Sequence, residues 1–154
     1  MAAIKPIVGA GWLKDVNDNF DSLASLAGMH VSKFTFDADA NDAASTPVSN
    51  KTVAAHPMAV KIPDNAIVYG GFIDVITAVT SDGNATVAIS LVAANDLLTA
   101  TAKASLTLAT QKPMAAVIAQ PIKLTEEKAV TVTVGTTALT AGKIDGYILW
   151  MEGA

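Results

Sequence analysis

Residues 62–92, IPDNAIVYGGFIDVITAVTSDGNATVAISLV, constrain the fold more than any other stretch: two apolar, strand-like runs flank the polar tetrad Ser81-Asp82-Gly83-Asn84. Runs rich in Val, Ile and Thr on either side of an Asp-Gly pair predict a β-hairpin, because that pair tolerates positive φ at both central turn positions. On the second run Ala85, Val87, Ile89 and Leu91 share one face, and Thr86, Ala88 and Ser90 the other. That pattern assigns one face to a core. On the first run Ile73, Val75 and Val79 share a face, while Phe72, Ile76 and Ala78 make the opposite face apolar as well. A strand apolar on both sides expects cover on both sides.

Composition enters as a boundary on function. The 154 residues suit one domain with an appendage, large enough to bury a sizeable core. Only 5% of residues are aromatic and 16% charged, so the bulk comes from small aliphatic residues and threonine. The net charge of −4, with no cluster of Lys or Arg, argues against binding nucleic acid by phosphate neutralisation. Cysteine is absent, which excludes a disulfide framework and thiolate metal sites. The start, MAAIKPIVGAGWLKD, lacks the charged and apolar regions of a secretory signal. Asp74 and Asp96 interrupt the best candidates for a membrane span, so no membrane partner is expected.

The chain changes character near Gly28. Residues Met1 to Gly9, with Pro6 among them, read as an extended arm. From Trp12 onward Leu13, Val16, Phe20 and Leu23 recur at spacings of three and four, with Leu26 or Ala27 next, which predicts an amphipathic helix from about Gly11 to Ala27. Such a helix is roughly 25 Å long at the standard rise. Its other face carries Lys14, Asp15, Asn17, Asp18, Asn19 and Asp21, and Gly28 suits a helix C-terminus. The stripe has two readings: packing on its own domain, or self-association and docking on a partner, since 3-4-3 spacing also suits a coiled-coil seam. The division expected is residues 1–29 as arm and anchoring helix, and 30–154 as a β-domain.

Strand signals follow. HVSKFTFD (30–37) predicts a strand with Phe34 and Phe36 inward, and residues 38–51 a polar surface loop. Residues 53–62 predict an edge strand because Pro57 interrupts them. Residues 93–121 are the least readable part, and Leu97 to Leu108 suit a short helix or a strand equally, since their Thr and Ala content decides neither. AVTVTVG (129–135) alternates, with Val130, Val132 and Val134 on one side. After a turn at Leu139-Thr140-Ala141-Gly142, KIDGYILWME (143–152) predicts a closing strand, with Ile144, Ile148 and Trp150 facing away from Tyr147, Leu149 and Met151. A strand apolar on both faces belongs in the middle of a sheet or at a subunit interface. Seven to nine strands in total fit a mainly β, antiparallel β-sandwich or jelly-roll-like domain preceded by a short N-terminal helix.

Chemistry is sparse. His30 and His56 show no metal-ligand spacing, and His56 before Pro57 reads as a hydrogen-bonded or solvated histidine rather than a catalytic one. Asp37-Ala38-Asp39-Ala40-Asn41-Asp42 begins like a calcium loop, but Asp42 stands where the turn glycine is needed and Val48 where the bidentate glutamate is needed. Glu126 and Glu127 are adjacent, so on a strand they point to opposite faces, and a turn before Ala129 explains them better. No nucleophile elbow or phosphate loop occurs. The expectation is no enzyme, no catalytic residue, no cofactor and no metal.

The run from Ile62 to Leu91 with Ala94-Asn95-Asp96-Leu97-Leu98 behind it resembles a group of tailed-bacteriophage structural proteins, in which a strand opening IP-x-x-A-I-V leads to an A-N-D-L element. Lys123-Leu124-Thr125 through Leu139-Thr140-Ala141-Gly142-Lys143 resembles the same group's ending. Gly11-Trp12-Leu13-Lys14-Asp15-Val16-Asn17-Asp18 is similar to helical segments near the start of head-fibre and tail-fibre proteins. The resemblance covers about two thirds of the chain. It implies a structural virion protein, a capsid decoration (cement) or head-fibre protein, made in the host cytoplasm and carried on the capsid surface. Its implied partners are further copies, as a trimer, and the major capsid protein. The contact residues expected on this basis are Trp12, Leu13, Val16, Phe20, Leu23, Leu26, Tyr147, Leu149 and Met151. The rival reading is a tail-associated receptor- or carbohydrate-binding module, although Trp12, Tyr69, Tyr147 and Trp150 fall in helix or core-strand positions rather than on an exposed sugar platform.

Overall fold

The computed structural model describes residues 28–154, and the expected helix with its stripe from Trp12 to Leu26 lies outside the described residues. The described residues form strands β1 (Met29–Asp37), β2 (Ala55–Ile62), β3 (Ala66–Thr80), β4 (Thr86–Ser90), β5 (Leu98–Ala102) and β6 (Gln111–Pro113). A short helix α1 (Ala115–Ala119) and strands β7 (Ile122–Lys123), β8 (Lys128–Gly135) and β9 (Ala141–Glu152) complete them. The unreadable stretch after residue 93 thus becomes strand β5, a 3-10 turn at Lys103–Ser105, strand β6 and α1.

The strands build two antiparallel sheets. The first has the order β1-β9-β3-β6, with β7 also paired to β3, and the second has the order β2-β8-β4-β5. Chain neighbours lie in opposite sheets at every step from β1 to β4. Between the sheets sits one core. Phe34, Phe36, Ile73, Val75, Ile144 and Ile148 enter it from the first sheet, and Met58, Ile62, Val87, Ile89, Val130, Val132 and Val134 from the second. Each fully buried aliphatic side chain contributes about 2 kcal/mol, so the alternation read on β4, β8 and β9 translates directly into stability.

The expected hairpin across Ser81-Asp82-Gly83-Asn84 does not form. Strand β3 pairs with β9, and β4 pairs with β8 and β5, so the tetrad carries the chain from one sheet to the other. Neither Asp82 nor Gly83 takes a positive φ. The physical reason is the partner: the β8–β9 segment makes the same crossing alongside, so β3–β4 and β8–β9 run as one two-stranded ribbon bent around the edge of the sandwich. Thr80 pairs with Ala141 before the bend and Thr86 with Gly135 after it. At the bend the Ser81 hydroxyl donates to the Ala138 carbonyl at 2.7 Å, and Thr140 N–H to the Thr80 carbonyl at 2.8 Å. Gly83 is needed for space, because a Cβ there would meet the Thr137 hydroxyl at 2.6 Å. The left-handed residue sits in the other crossing, at Thr136 with φ 70°.

Two placements agree with expectation. Strand β2 is an edge strand whose pairing to β8 shifts register after Pro57, as a residue without an N–H demands. Strand β9 lies in the middle of its sheet, between β1 and β3, with Gly146 packed under the Phe34 ring.

Candidate functional site

The outer face of the first sheet is where the chain departs most from a solvated β-surface. On β9 the alternation sends Ile144, Gly146, Ile148 and Trp150 inward and Tyr147, Leu149 and Met151 outward. Register then decides their neighbours. Met151 pairs with Met29 and Ile67, Leu149 with Val31 and Gly70, and Tyr147 with Lys33 and Phe72. Because paired residues project to the same side of a sheet, Met29, Val31, Ile67, Phe72, Tyr147, Leu149 and Met151 form one outward apolar strip across three strands. Val31 is 62% exposed, Met29 50%, Ile76 42% and Phe72 40%. The two-sided apolar character of β3 therefore has cover on the core side only, among the described residues.

The strip is ordered by aromatic and charged contacts at one end. The Phe72 and Tyr147 rings stack with centroids 4.8 Å apart and planes 19° apart. Lys33 Nζ lies 5.5 Å from the centre of the Tyr147 ring and 2.7 Å from Asp145 Oδ2. The Thr35 hydroxyl donates to Asp145 Oδ1 at 2.6 Å. Burial alone would push the Asp145 carboxyl up, but the hydrogen bonds from Lys33 and Thr35, with the charges of Lys33 and Lys143, outweigh it and hold the carboxyl below the ordinary carboxylate range. The bond to Asp145 raises the Lys33 ammonium in turn. Tyr147 is thereby fixed in orientation, bounded by a ring on one side and an ammonium on the other.

Elsewhere the polar groups hold loops. His56 is buried in β2, its Nδ1 3.1 Å from Asp42 Oδ2 and its Nε2 2.9 Å from the Thr52 carbonyl. Asp42 also accepts from the Val48 and Ala44 amides, which organises the 38–51 loop. The Val48 amide above all, with His56 and Ala44, keeps the Asp42 carboxyl low in spite of burial. The calcium-like run is thus a loop tied by its own backbone. Among the described residues no group of three or more His, Asp or Glu side chains is placed to hold a metal. Glu126 and Glu127 form surface ion pairs with Lys128 and Lys61. In the Ala94-Asn95-Asp96-Leu97 element, Asn95 takes φ 64° and the Asp96 carboxylate accepts from the amides of Leu91, Val92 and Ala93. That motif is turn chemistry.

Of the expected contact residues, the structure brings together Tyr147, Leu149 and Met151. Trp12, Leu13, Val16, Phe20, Leu23 and Leu26 lie outside the described residues. Sequence reading missed Met29, Val31, Ile67 and Phe72 as members of the same strip, since only strand register places them beside β9. The signal was present in part: Val31 alternates with Ser32 and is the outward apolar residue of a strand whose inward residues are Phe34 and Phe36. The half-buried Trp150 is no sugar platform, as His30 stacks on it at 4.2 Å and its indole N–H goes to the Ser32 hydroxyl.

Comparison with known proteins gives a fold and no sequence family. No family model matches the chain, and no curated protein matches it either. Among solved structures, a chain from the cyanophage Pam1 capsid asymmetric unit superposes with a TM-score of 0.57 at 14% identity, covering 99% of this chain and 94% of its own. A chain from the acidic stable capsid of Helicobacter pylori bacteriophage KHP30 gives 0.56 at 14% identity over 82% and 89% of the two chains. One from the capsid of Ralstonia phage GP4 gives 0.55 at 13% identity over 100% and 92%. The fold of this chain, a two-sheet antiparallel β-sandwich, is therefore the fold found in chains of three bacteriophage capsids.

Proposed function

We propose that the protein is a structural, non-catalytic component of a bacteriophage virion, carried on the capsid exterior as a decoration or head-fibre protein that assembles as an oligomer, with three copies as the working stoichiometry. The observation that carries this reading is the likeness of the fold to chains of three phage capsids, over 82% to 100% of this chain, at TM-scores of 0.55 to 0.57. The strand orders β1-β9-β3-β6 and β2-β8-β4-β5 support describing the domain as a jelly roll, in which a long two-stranded ribbon wraps into two facing sheets. The outward strip of Met29, Val31, Ile67, Phe72, Tyr147, Leu149 and Met151 supports an assembly role, because contiguous exposed apolar surface on a soluble domain marks an interface. Leu13, Val16, Phe20 and Leu23 supply a second apolar surface by their spacing. In this reading copies hold one another and the shell, formed by the major capsid protein, through these two surfaces.

The test is native mass by light scattering across a dilution series, followed by co-sedimentation with shells assembled without the protein. The expected result is a trimer that binds shells saturably. A monomer at every concentration that stays in the supernatant overturns the reading. Among the described residues no contact favours the rival receptor- or carbohydrate-binding module, and glycan-array binding would be its positive sign.

A further inference from the structure

Strand β1 stands at the edge of the first sheet and pairs on one side only, with β9. The ladder runs without a register shift from Met29 opposite Met151 to Asp37 opposite Lys143. At its two ends the Gly28 carbonyl accepts from the Glu152 amide at 3.2 Å, and the Ala38 amide donates to the Gly142 carbonyl at 2.9 Å. Hydrogen-bonded pairs alternate along an antiparallel ladder, so the even-numbered residues of β1 turn their backbone groups to β9 and the odd-numbered ones turn theirs away. The N–H and C=O groups of Met29, Val31, Lys33 and Thr35 therefore face the open side, and among the described residues none of them has a backbone partner. All four residues are exposed.

The other edges are guarded. Strand β2 carries Pro57 and a register shift, β5 shifts register against β4, β6 is three residues long and ends at Pro113, and β7 has two residues. A long, regular edge without proline or bulge is a template for another strand. We infer that β1 of one copy pairs antiparallel with β1 of a second copy across a two-fold axis, joining their first sheets into one continuous sheet.

Bond count and charge set the register. With the axis at Ser32, Met29 pairs with Thr35 of the second copy and Val31 with Lys33 of the second copy, so every open backbone group of the four residues is used. An axis at Lys33 would set two ammonium groups directly opposite each other, which is unfavourable across a strand pair. An axis at Val31 would leave Thr35 with no partner in β1. An antiparallel strand is thus complementary to itself here, and a two-fold contact closes without propagating. Each bond formed replaces one to water, so the contact is weak in dilute solution and forms as copies are brought close together. It uses the sheet edge, whereas the assembly proposed above uses the outer face, so either can hold without the other.

The sequence has no cysteine, so Ser32→Cys supplies a single thiol per copy. In the inferred register Ser32 faces Ser32 of the second copy as a non-hydrogen-bonded pair, with Cα atoms about 4.5 Å apart and within disulfide reach. Full-length Ser32→Cys, oxidised at high protein concentration, is expected to form a covalent dimer at least about tenfold faster than Ala100→Cys, an exposed position on β5 of the other sheet. Adding Val31→Pro is expected to abolish the acceleration with circular dichroism unchanged, because the Val31 N–H carries no bond within the sheet. In the unsubstituted protein the Val31 and Lys33 amides are expected to exchange more slowly as protein concentration rises. Equal cross-linking rates for Ser32→Cys and Ala100→Cys overturn the inference, as does fast cross-linking that survives Val31→Pro in a folded chain. Slow exchange of both amides at every dilution also overturns it, because the edge is then covered within one copy. Any of these results beside a stable trimer leaves the outer-face reading standing, and a monomer at every concentration overturns both.

Discussion

His56 Nδ1 lies 3.1 Å from Asp42 Oδ2, with both side chains buried and the other ring nitrogen 2.9 Å from the Thr52 carbonyl. This contact joins β2, an edge strand, to the long connection that precedes it. Both ring nitrogens therefore face acceptors. Replacing His56 by alanine leaves a void and strands the Asp42 carboxylate, so His56→Ala is expected to cost about 3 kcal/mol, read as a lower urea midpoint at unchanged slope. Stability within about 0.5 kcal/mol of the parent would show that the loop is not held by this pair.

Acid should act through two carboxyls. Asp42 and Asp145 are both held below the ordinary carboxylate range in the folded protein, so the unfolded chain binds more protons than the folded one in that range. Their stabilisation is fully present above the unfolded value of about 4 and is lost as pH falls through the lower folded values. Urea midpoints measured from pH 7 to pH 3 should therefore fall steeply at the acid end, and Asp145→Asn should flatten that fall. An unchanged slope in Asp145→Asn would rule out its contribution.

A Cβ at position 146 would overlap the Phe34 ring. Gly146→Ala is expected to destabilise by about 3 kcal/mol or to prevent folding at 37 °C, since a buried ring with no vacant space must move. Pairing it with Phe34→Leu should recover part of the loss. A double-mutant cycle by thermal unfolding measures this, and additivity of the two substitutions would show that the ring is not the obstacle.

Surface and core positions of the same strand should separate assembly from folding. Leu149→Asp, on the outer strip, is expected to leave far-ultraviolet circular dichroism intact and to reduce native mass to that of a monomer. Ile148→Asp, one residue away and fully buried, is expected to unfold the domain, because an unpaired charge cannot be accommodated in the core. A folded trimer of Leu149→Asp would remove the strip from the interface.

Cutting the Asp96 side chain should loosen the turn after β4. Its carboxylate takes the amides of Leu91, Val92 and Ala93 at 2.7 to 2.9 Å. Asp96→Ala is expected to cost about 2 kcal/mol, with faster amide exchange at those three residues. Unchanged exchange at the three amides would contradict this account.

What the sequence determined by itself was local: outside residues 93–121, which runs are strands, and in the alternating runs which side faces the core. Val130, Val132 and Val134, and Val87 with Ile89, are buried as their period of two requires, because alternation is a property that each run carries without reference to its partners. Pro57 likewise marked an edge strand through its own missing N–H. The tertiary structure decided what pairs with what. Asp82-Gly83 reads as a hairpin turn in isolation, yet the β8–β9 ribbon running beside it draws the chain across to the other sheet, and the backbone there never needs positive φ. Register, a long-range property, also set Val31 and Phe72 beside Leu149 and Tyr147 and so assembled a strip that no single run displays. The same holds for His56, whose environment is made by a carboxylate fourteen residues away in a loop with no periodic signal. Side-chain period is written residue by residue, whereas pairing is chosen by the competition of all strands for one core.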